Sequence, residues 1–554
     1  MVTIRFIGAA RTVTGSCFIV EGPSGNVMLD CGMFQGPAAL EALNWRPLTY
    51  KPSDIERIVL THAHIDHSGL IPRICKLGFK GDIFSTYATA DLAGVMLPDA
   101  GHIQEQETDW DNRNRMRRGE NFRKALYTQG DAEKCIERFK GVPYDAWKDI
   151  GGGFKVRFRD AGHILGSAII ELDAYDGGEW RRIIFSGDLG NLNSPILRDP
   201  AKVEGGQVVI CESTYGSRIH EPPEEKKRLL AEIVNEASRE GGKVIIPAFA
   251  IGRAQEIIYI LNELLSKKSI PRIPVYIDSP LAISGTEIFR RHPECYDEET
   301  KRLIDSGSPF LDFPTLRLTQ TTEESKAIND QPGPMIIISA SGMCEAGRIK
   351  HHLLHNLYKP NTHIVFVGFQ AVGTLGRRIR DGAKYVRIYN EHIAVKAKVH
   401  SIGAFSAHAD RDGLTKWLAA MQRRPELVCI VHGEDREASG FAEYVKGRLG
   451  WAVYVPSRDE EIDLAHLPEP TKELPGFDVS EKGLMDEILE LHNLTADLAG
   501  HLAKLRDLLQ TRLISLDEKT EKSLLDISRS LGSEAKQLMD AITGLDAKGE
   551  VDYD

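Results

Sequence analysis

The chain has 554 residues and a formal net charge of −11, and these values exclude several kinds of protein. Single hydrophobic cores stop growing near about 250–300 residues, so we expect two or three domains. The negative charge argues against a basic coat for binding duplex nucleic acid, although a local basic groove is compatible with it. No run of about 18 apolar residues occurs, which predicts that no helix crosses a membrane.

The N-terminus predicts a cytoplasmic protein, and the cysteines predict mostly reduced thiols. Residues 1–8 have the pattern of a strand entering a turn, and they lack the charged start, apolar stretch and cleavage site of a secretory signal. The eight cysteines are scattered and form no C-x-x-C pair, which argues against a disulfide framework or a thiolate zinc site. We expect most of these thiols to be reduced core residues.

Short strands are predicted along the first part of the chain, where Val- and Ile-rich runs alternate with turn residues. These runs are Arg57–Thr61, Asp82–Thr86, Arg182–Ser186 and Gln207–Glu212. Between 214 and 390 the pattern alternates between helix and strand, which predicts a parallel sheet. The predicted elements there are a helix at Glu224–Glu240, a helix from Arg253, and strands at Lys243–Pro247, Pro274–Ile277, Met335–Ser339 and His363–Val367.

The remainder of the chain returns to short strands and then changes character. Strands are predicted at Leu427–Val431 and Ala452–Val455. A Pro-containing linker at 466–479 precedes a helical extension at 480–545, in which leucines from Leu484 to Leu509 step by three, four or seven positions. An apolar stripe of this kind must be buried against something.

The strongest signal for chemistry is the segment Thr61–Gly69, which directly follows a predicted strand and contains three histidines and an aspartate. Zinc binds imidazole nitrogen and carboxylate oxygen, and a catalytic zinc keeps one position open for water. Side chains at alternating positions of a tight loop can point to one side. His62 and His64 could therefore bind one metal, while Asp66 and His67 reach a second.

Further candidate ligands lie at turns and strand ends elsewhere. His163 lies in Gly162–Ser167, Asp188 ends a predicted strand and could bridge two cations, and His432 ends a much later strand. Asp30 follows another strand and could orient a ligand histidine without touching the metal. Each of these residues alone is weak evidence for a metal site. Their occurrence together with the first motif indicates a two-metal site.

These residues together resemble the metallo-β-lactamase superfamily. The chain also resembles its β-CASP branch, with Glu212 in the position of motif A, His408 of motif B and His432 of motif C. It is most similar to the bacterial relatives of the endonuclease subunit of the cleavage and polyadenylation machinery. This likeness covers residues 1–465 and includes the segments 8–16, 278–282 and 368–377.

The resemblance implies an α/β fold: a metallo-β-lactamase αββα sandwich with an inserted β-CASP domain built on a parallel sheet. The expected limits are 1–213 and 391–465 for the sandwich and 214–390 for the insertion. It also implies two Zn²⁺ ions per chain. The expected ligands are His62, His64 and His163 for one zinc, Asp66, His67 and His432 for the other, and Asp188 as the bridge.

The same resemblance implies a ribonuclease. His432 at motif C favours RNA over DNA, and the expected reaction is endonucleolytic, with 5′–3′ exonuclease action as a second mode, leaving a 5′-phosphate and a 3′-hydroxyl. Catalytic roles fall to Asp66, His408 and Glu212, with His408 as general acid held by Glu212. Loops and a helix start suited to RNA phosphates contain Arg253, Ser341, Gly342 and Arg377.

Three other functions fit part of the pattern. A hydrolase of thioesters, lactones or lactams would share the first metal motif but not the insertion or His408. A DNA nuclease of the same fold is disfavoured by His432, and a non-catalytic RNA-binding scaffold would have lost ligands. The expected partners are single-stranded RNA and a second copy of the chain. A homodimer that uses the helical extension competes with a hairpin packed on its own subunit.

Overall fold

The computed structural model describes residues 1–221, 223–368, 370 and 373–469. The predicted linker at 466–479 lies mostly outside these residues, and the predicted helical extension at 480–545 lies entirely outside them. In the part of the chain that the structure describes, no helix is both long enough and apolar enough to cross a membrane.

Two seven-stranded sheets form the body of the sandwich. The first sheet has the order Glu460–Asp463, Thr3–Phe6, Phe18–Gly22, Gly25–Leu29, Arg57–Val59, Asp82–Ser85, Phe139–Gly141. The second has the order Val453–Tyr454, Leu427–Val431, Val208–Glu212, Glu179–Phe185, Ala168–Asp176, Phe154–Asp160, Lys148–Gly151. Both sheets mix parallel and antiparallel pairs.

Alternation along the strands places one face of each sheet in a shared core. Val27 and Leu29 of the first sheet and Phe158 and Ile170 of the second belong to the same buried cluster. Intervening residues such as Met28 pack outward on a different cluster. Because both faces of these strands are apolar, each sheet must be covered by helices on its outer side.

Helices supply the two outer layers. On the first sheet they are Ile65–Ser68, Ile71–Lys76, Tyr87–Arg118 and Gln129–Ile136. A further short helix spans Ala38–Glu41. On the second sheet they are Arg411–Ala419 and Asp435–Leu449, whose buried faces include Leu414, Leu418 and Phe441. The predicted αββα sandwich is therefore confirmed.

A third, six-stranded sheet forms the inserted domain, and all its described pairs are parallel. Its order is Leu316–Leu318, Val275–Ile277, Met335–Ser339, Lys243–Pro247, His363–Phe366, Lys398–Ser401. Its helices are Pro223–Arg239, Arg253–Ser266, Pro280–Arg291, Glu298–Asp305, Thr322–Asp330, Ile349–Asn356 and Leu375–Arg380. A hairpin, Tyr385–Ile388 with Glu391–Ala394, precedes the last strand, which lies beyond residue 390.

The candidate site lies at one edge of the sandwich because of strand direction. The strands ending at Phe185, Glu212 and Val431 are parallel neighbours, so their carboxyl ends meet at the same edge. Asp188 and His432 follow two of these ends. The connection after Arg57–Val59 in the first sheet brings the histidine-rich loop to the same place.

Backbone hydrogen bonds fix that loop against the turn after Gly25–Leu29. Cys31 N donates to His67 O (2.7 Å), and Met33 N donates to Ile65 O (2.9 Å). Between them, Gly32 lies so close to the loop that an added Cβ would be 1.7 Å from Asp66 O. Glycine is required at this position by contact with the backbone that carries the candidate ligands.

We expect Gly32→Ala to lower the free energy of unfolding by about 1–3 kcal/mol, the usual cost of overpacking, and to reduce metal content by displacing the loop. Denaturant unfolding and elemental analysis measure the two effects. The matched control is Gly447→Ala, in the helix Asp435–Leu449, where an added Cβ meets nothing within 4 Å. That variant should be neutral or slightly stabilising; equal losses in both variants would contradict the packing argument.

Candidate metal centre

One group of ligand atoms is formed by three histidines from two separate loops. His64 Nδ1 lies 3.1 Å from His62 Nε2 and 3.3 Å from His163 Nε2. His62 is fully buried and His163 nearly so. His163 is positioned by its own loop, in which the backbone N–H of His163 donates to Ser167 Oγ.

A second group combines the first loop with a residue hundreds of positions later. His67 Nε2 lies 3.1 Å from His432 Nε2, and His432 Nε2 lies 3.7 Å from Asp66 Oδ2. His432 adopts a positive φ of 47° directly after its strand, which turns the chain at the sheet edge. Thr214 also contacts the His432 ring, with Oγ1 3.1 Å from Nδ1.

Asp188 lies between the two groups, with one carboxylate oxygen directed to each. Its Oδ2 is 3.5 Å from both His62 Nε2 and His163 Nε2. Its Oδ1 is 3.3 Å from His67 Nε2, although this buried oxygen accepts no hydrogen bond of acceptable geometry. The carboxylate thus faces histidines of both groups.

The donor set and its spacing fit zinc. Four ligands arranged tetrahedrally at a Zn–N distance near 2.0–2.1 Å are separated from one another by about 3.3 Å. The nitrogen pairs His62–His64, His64–His163 and His67–His432 are 3.1, 3.3 and 3.1 Å apart. Where several imidazole nitrogens face one another, one proton cannot bridge every pair, so some lone pairs are directed at each other. A bound cation would accept these lone pairs.

Protonation equilibria favour neutral donors in the first group. Burial and the nearby His67 lower the pKa of His62 well below its ordinary value. Burial also lowers the pKa of His64 to about 4, and burial together with His408 lowers that of His163. Neutral imidazole is the form that binds metal.

His67 is different because two carboxylates surround it. Burial would lower its pKa, but the charges of Asp188 and Asp30 outweigh that effect and raise it. Asp30 Oδ2 accepts from His67 Nδ1 (2.6 Å), and Asp30 Oδ1 accepts from Thr61 N (2.8 Å). Asp30 therefore fixes the His67 ring with Nε2 directed at Asp188, although it contributes no atom to the donor groups.

A carboxylate–histidine pair adjoins the first group. His408 Nδ1 lies 3.2 Å from both oxygens of Glu212, and its ring centroid is 4.5 Å from that of His163. Glu212 is fully buried and accepts from Leu189 N (2.7 Å). Burial would lower the pKa of His408, but Glu212 and Asp188 raise it to about 9.

The structure brings only some of the predicted phosphate-binding residues to the site. Arg253 lines the same pocket as His64 and His163, where its guanidinium pairs with Glu256. Ser341 Oγ accepts from backbone N–H groups of its own loop, and Gly342 packs under the ring of Phe249. Arg377 is not in the described lining of that pocket and pairs with Asp381, four positions on.

Sequence reasoning missed two residues of this region. Phe249, 39% exposed, lines the pocket with His64 and His163, yet an aromatic residue between two alanines looks like core. His220 holds the His408 segment, since His220 Nε2 lies 3.0 Å from the carbonyl oxygen of His408. Its only signal was proximity to Glu212 in the chain.

A two-sheet sandwich with clustered histidines and an aspartate at one edge is the architecture of a metallo-hydrolase. Three family models match: the metallo-beta-lactamase superfamily over residues 10–218, the Beta-Casp domain over 254–379, and the Zn-dependent metallo-hydrolase RNA specificity domain over 392–456. The last match contains both His408 and His432. The prediction of a metal-dependent hydrolase is confirmed by these matches.

Similar proteins cover nearly the whole described chain. Ribonuclease TTHA0252 of Thermus thermophilus is 37% identical over 463 residues, which is 83% of this chain and 98% of that protein. Transcription termination factor FttA of Methanocaldococcus jannaschii is 32% identical over 472 residues, 83% of this chain and 71% of its own. An RNase J-like protein of the same organism is 31% identical, with coverages of 83% and 99%. The chain belongs to the β-CASP branch of the metallo-β-lactamase superfamily, as predicted.

We expect Asp30→Asn to weaken metal binding by about 10–100-fold, the usual effect of removing a residue that orients a ligand, because His67 loses the charge that fixes its ring. Competition with a chelator measures the affinity. Asp278→Asn is a matched control: Asp278 Oδ2 contacts His352 Nε2 at the same 2.6 Å in the inserted domain. Unchanged affinity in Asp30→Asn, or an equal loss in the control, would contradict the assignment.

Proposed function

We propose that this chain is a ribonuclease that hydrolyses phosphodiester bonds of single-stranded RNA with two zinc ions per chain. The observation that carries the proposal is the placement of the Asp188 oxygens, 3.3–3.5 Å from histidines of both donor groups. In this assignment His62, His64 and His163 hold one zinc. Asp66, His67 and His432 would hold the other, and Asp188 would be available to both.

The chemistry that zinc supplies when bound is hydroxide near neutral pH and neutralisation of the phosphate charge. The protein fixes the donors in advance. Asp30 holds His67, the Ser167 hydroxyl holds the backbone of His163, and Asp66 remains ionised because contact with His432 and the charge of His67 overcome the effect of burial and lower its pKa to about 2. The donors therefore need little rearrangement.

His408 is assigned as the general acid, as a hypothesis built on its contact with Glu212. Because His408 Nδ1 faces Glu212, Nε2 is the atom that can give a proton to the leaving oxygen. Asp188 would commit its charge to bound cations, so Glu212 is the group that keeps His408 protonated. Proton transfer of this kind typically contributes about 10²–10⁴-fold to the rate.

The pocket beside the donor groups suits a nucleotide chain. Phe249 presents an exposed ring there, and base–aromatic stacking is worth about 1–3 kcal/mol per base. Its other face packs on Gly342, where an added Cβ would be 3.1 Å from the ring. Arg253 also lines this pocket, with its guanidinium paired to Glu256. These groups favour binding of an RNA strand in a path between the sandwich and the inserted sheet.

The alternatives account for less of the molecule. A hydrolase of small esters or lactams has no use for the inserted parallel sheet or for the Glu212–His408 pair. The DNA nuclease of this fold is disfavoured by His432, which contacts Asp66 and His67. A scaffold without activity does not need the donor groups that the described residues provide. We infer that products carry a 5′-phosphate and a 3′-hydroxyl.

The first test uses RNA labelled at the 5′ or 3′ end and a DNA strand of the same sequence. We expect zinc-loaded protein to cut the RNA internally and to leave the DNA intact. A chelator should abolish cleavage, and added zinc should restore it. Equal cleavage of DNA, or cleavage that resists complete metal removal, would reject the proposed activity.

The second test concerns His408. We expect His408→Ala to retain both metals and to lose about 10²–10⁴-fold in turnover, because only the proton donor is removed. Glu212→Gln should lower turnover as well, with zinc retained. His400→Ala removes a histidine of the inserted sheet, paired with His363 at 3.1 Å, and should remain active. Near-normal turnover of zinc-loaded His408→Ala would exclude the role.

We further propose a homodimer to which the segment after residue 470 contributes. The support is the leucine spacing of that segment and the prevalence of two-fold dimers among oligomers. Truncation after residue 470 removes no candidate ligand, so cleavage of short RNA should persist. Light scattering should then show a lower oligomer mass; an unchanged mass would remove the segment from the interface.

A further inference from the structure

Two thiols on the outer face of the first sheet lie unusually close together. Cys75, in the helix Ile71–Lys76, and Cys135, in the helix Gln129–Ile136, have sulfur atoms 3.3 Å apart across 60 positions of sequence. A disulfide bond is about 2.05 Å long, so closing the gap requires a movement of roughly 1.3 Å shared by two side chains. We propose that Cys75 and Cys135 form a reversible disulfide bond when the protein meets a peroxide.

The two cysteines differ in access, which assigns them different roles. Cys75 is half-buried, whereas Cys135 is buried. Oxidation-sensing pairs commonly combine a reachable, ionisable thiol with an adjacent thiol that resolves the oxidised form. Cys75 is therefore the thiol that meets the oxidant, and Cys135 is the resolving thiol.

Electrostatics agree with this assignment. The hydrogen bond between Cys75 and Cys135 lowers the pKa of Cys75, against the effect of burial, and the nearby Arg138 cation lowers it further. The same contact and burial raise the pKa of Cys135. Since the thiolate is the nucleophile, the negative charge resides on Cys75 when the pair ionises.

The chemistry balances with a peroxide as the only co-reactant. The Cys75 thiolate attacks one oxygen of hydrogen peroxide, the O–O bond breaks, and the departing hydroxide takes up the proton released by Cys75 to form water. The resulting sulfenic acid is attacked by the sulfur of Cys135. The S–S bond forms, the S–O bond breaks, and the departing hydroxide takes the Cys135 proton as a second water. Two thiols are oxidised by two electrons and one peroxide is reduced.

The bond would join the segment that follows the candidate metal loop to a helix further along the chain. The helix with Cys75 begins directly after Leu70, whose N–H donates to Cys31 O (2.8 Å). Neither cysteine is in a donor group, so cleavage should persist in the oxidised protein. Closing a loop of 60 residues restricts the unfolded chain, so the oxidised form should have a higher Tm.

The remaining described cysteines provide an internal comparison. Burial and the neighbouring Cys17 raise the pKa of the Cys31 thiol, and both residues are buried, so an aqueous oxidant does not reach them in the folded protein. The proposal therefore predicts selectivity for one pair among eight cysteines.

The experiment treats the full-length protein with a few equivalents of hydrogen peroxide, quenches the reaction and counts thiols after denaturation. We expect the loss of two of the eight thiols, a cross-linked peptide containing Cys75 and Cys135 that is lighter by two hydrogens, and recovery of both thiols with dithiothreitol. Cleavage of RNA and Tm are measured on the same samples.

Variants separate the roles of the two thiols. Cys135→Ser should give no cross-link and should leave a sulfenic acid on Cys75 that reacts with dimedone. Cys295→Ala, which removes a buried cysteine elsewhere, should still form the bond. Retention of all eight thiols, a cross-link between other cysteines, or labelling of Cys135 rather than Cys75 would overturn the proposal.

Discussion

The carboxylate of Asp188 is 2% exposed and lies between histidines contributed by both sheets. A buried carboxylate is costly unless positive charge or a cation meets it. Burial would raise its pKa, but His432, His67 and His408 hold it well below the ordinary value. The packing of the two sheets at this edge therefore buries apolar surface and also brings together the charges that keep Asp188 ionised. If Asp188 were displaced, each donor group would lose the carboxylate oxygen that lies 3.3–3.5 Å from its histidines.

The inserted domain explains why residues distant in sequence can meet at this carboxylate. The chain leaves the second sheet after Glu212 and re-enters it at Leu427, and the two strands are parallel neighbours with Glu212 in register with Val431. The insertion therefore leaves the sheet continuous. His408 is held on the return path, where Ala409 N donates to Leu189 O (2.7 Å).

Sequence reasoning succeeded where a local pattern determines the structure. The loop after Arg57–Val59 places four candidate ligands in six positions, and strand-end residues such as Asp188 and His432 are directed to one edge by strand direction alone. It did not identify residues whose position in the site depends on contacts with distant parts of the chain. Phe249 was overlooked because its exposure depends on how a distant sheet packs.

One other feature shows the same limit. The strand Lys398–Ser401 joins the third sheet by pairing with His363–Phe366, although the local pattern had placed the end of the insertion at 390. Pairing partners distant in sequence leave no local signal.

The proposed role of Asp188 as a carboxylate shared by two metal sites can be tested by anomalous diffraction at the zinc absorption edge from crystals of zinc-loaded protein. We expect two peaks about 3.5–4 Å apart, with Asp188 oxygens bound to both, His62, His64 and His163 around one, and Asp66, His67 and His432 around the other. A single peak, or two peaks that do not share Asp188, would contradict it.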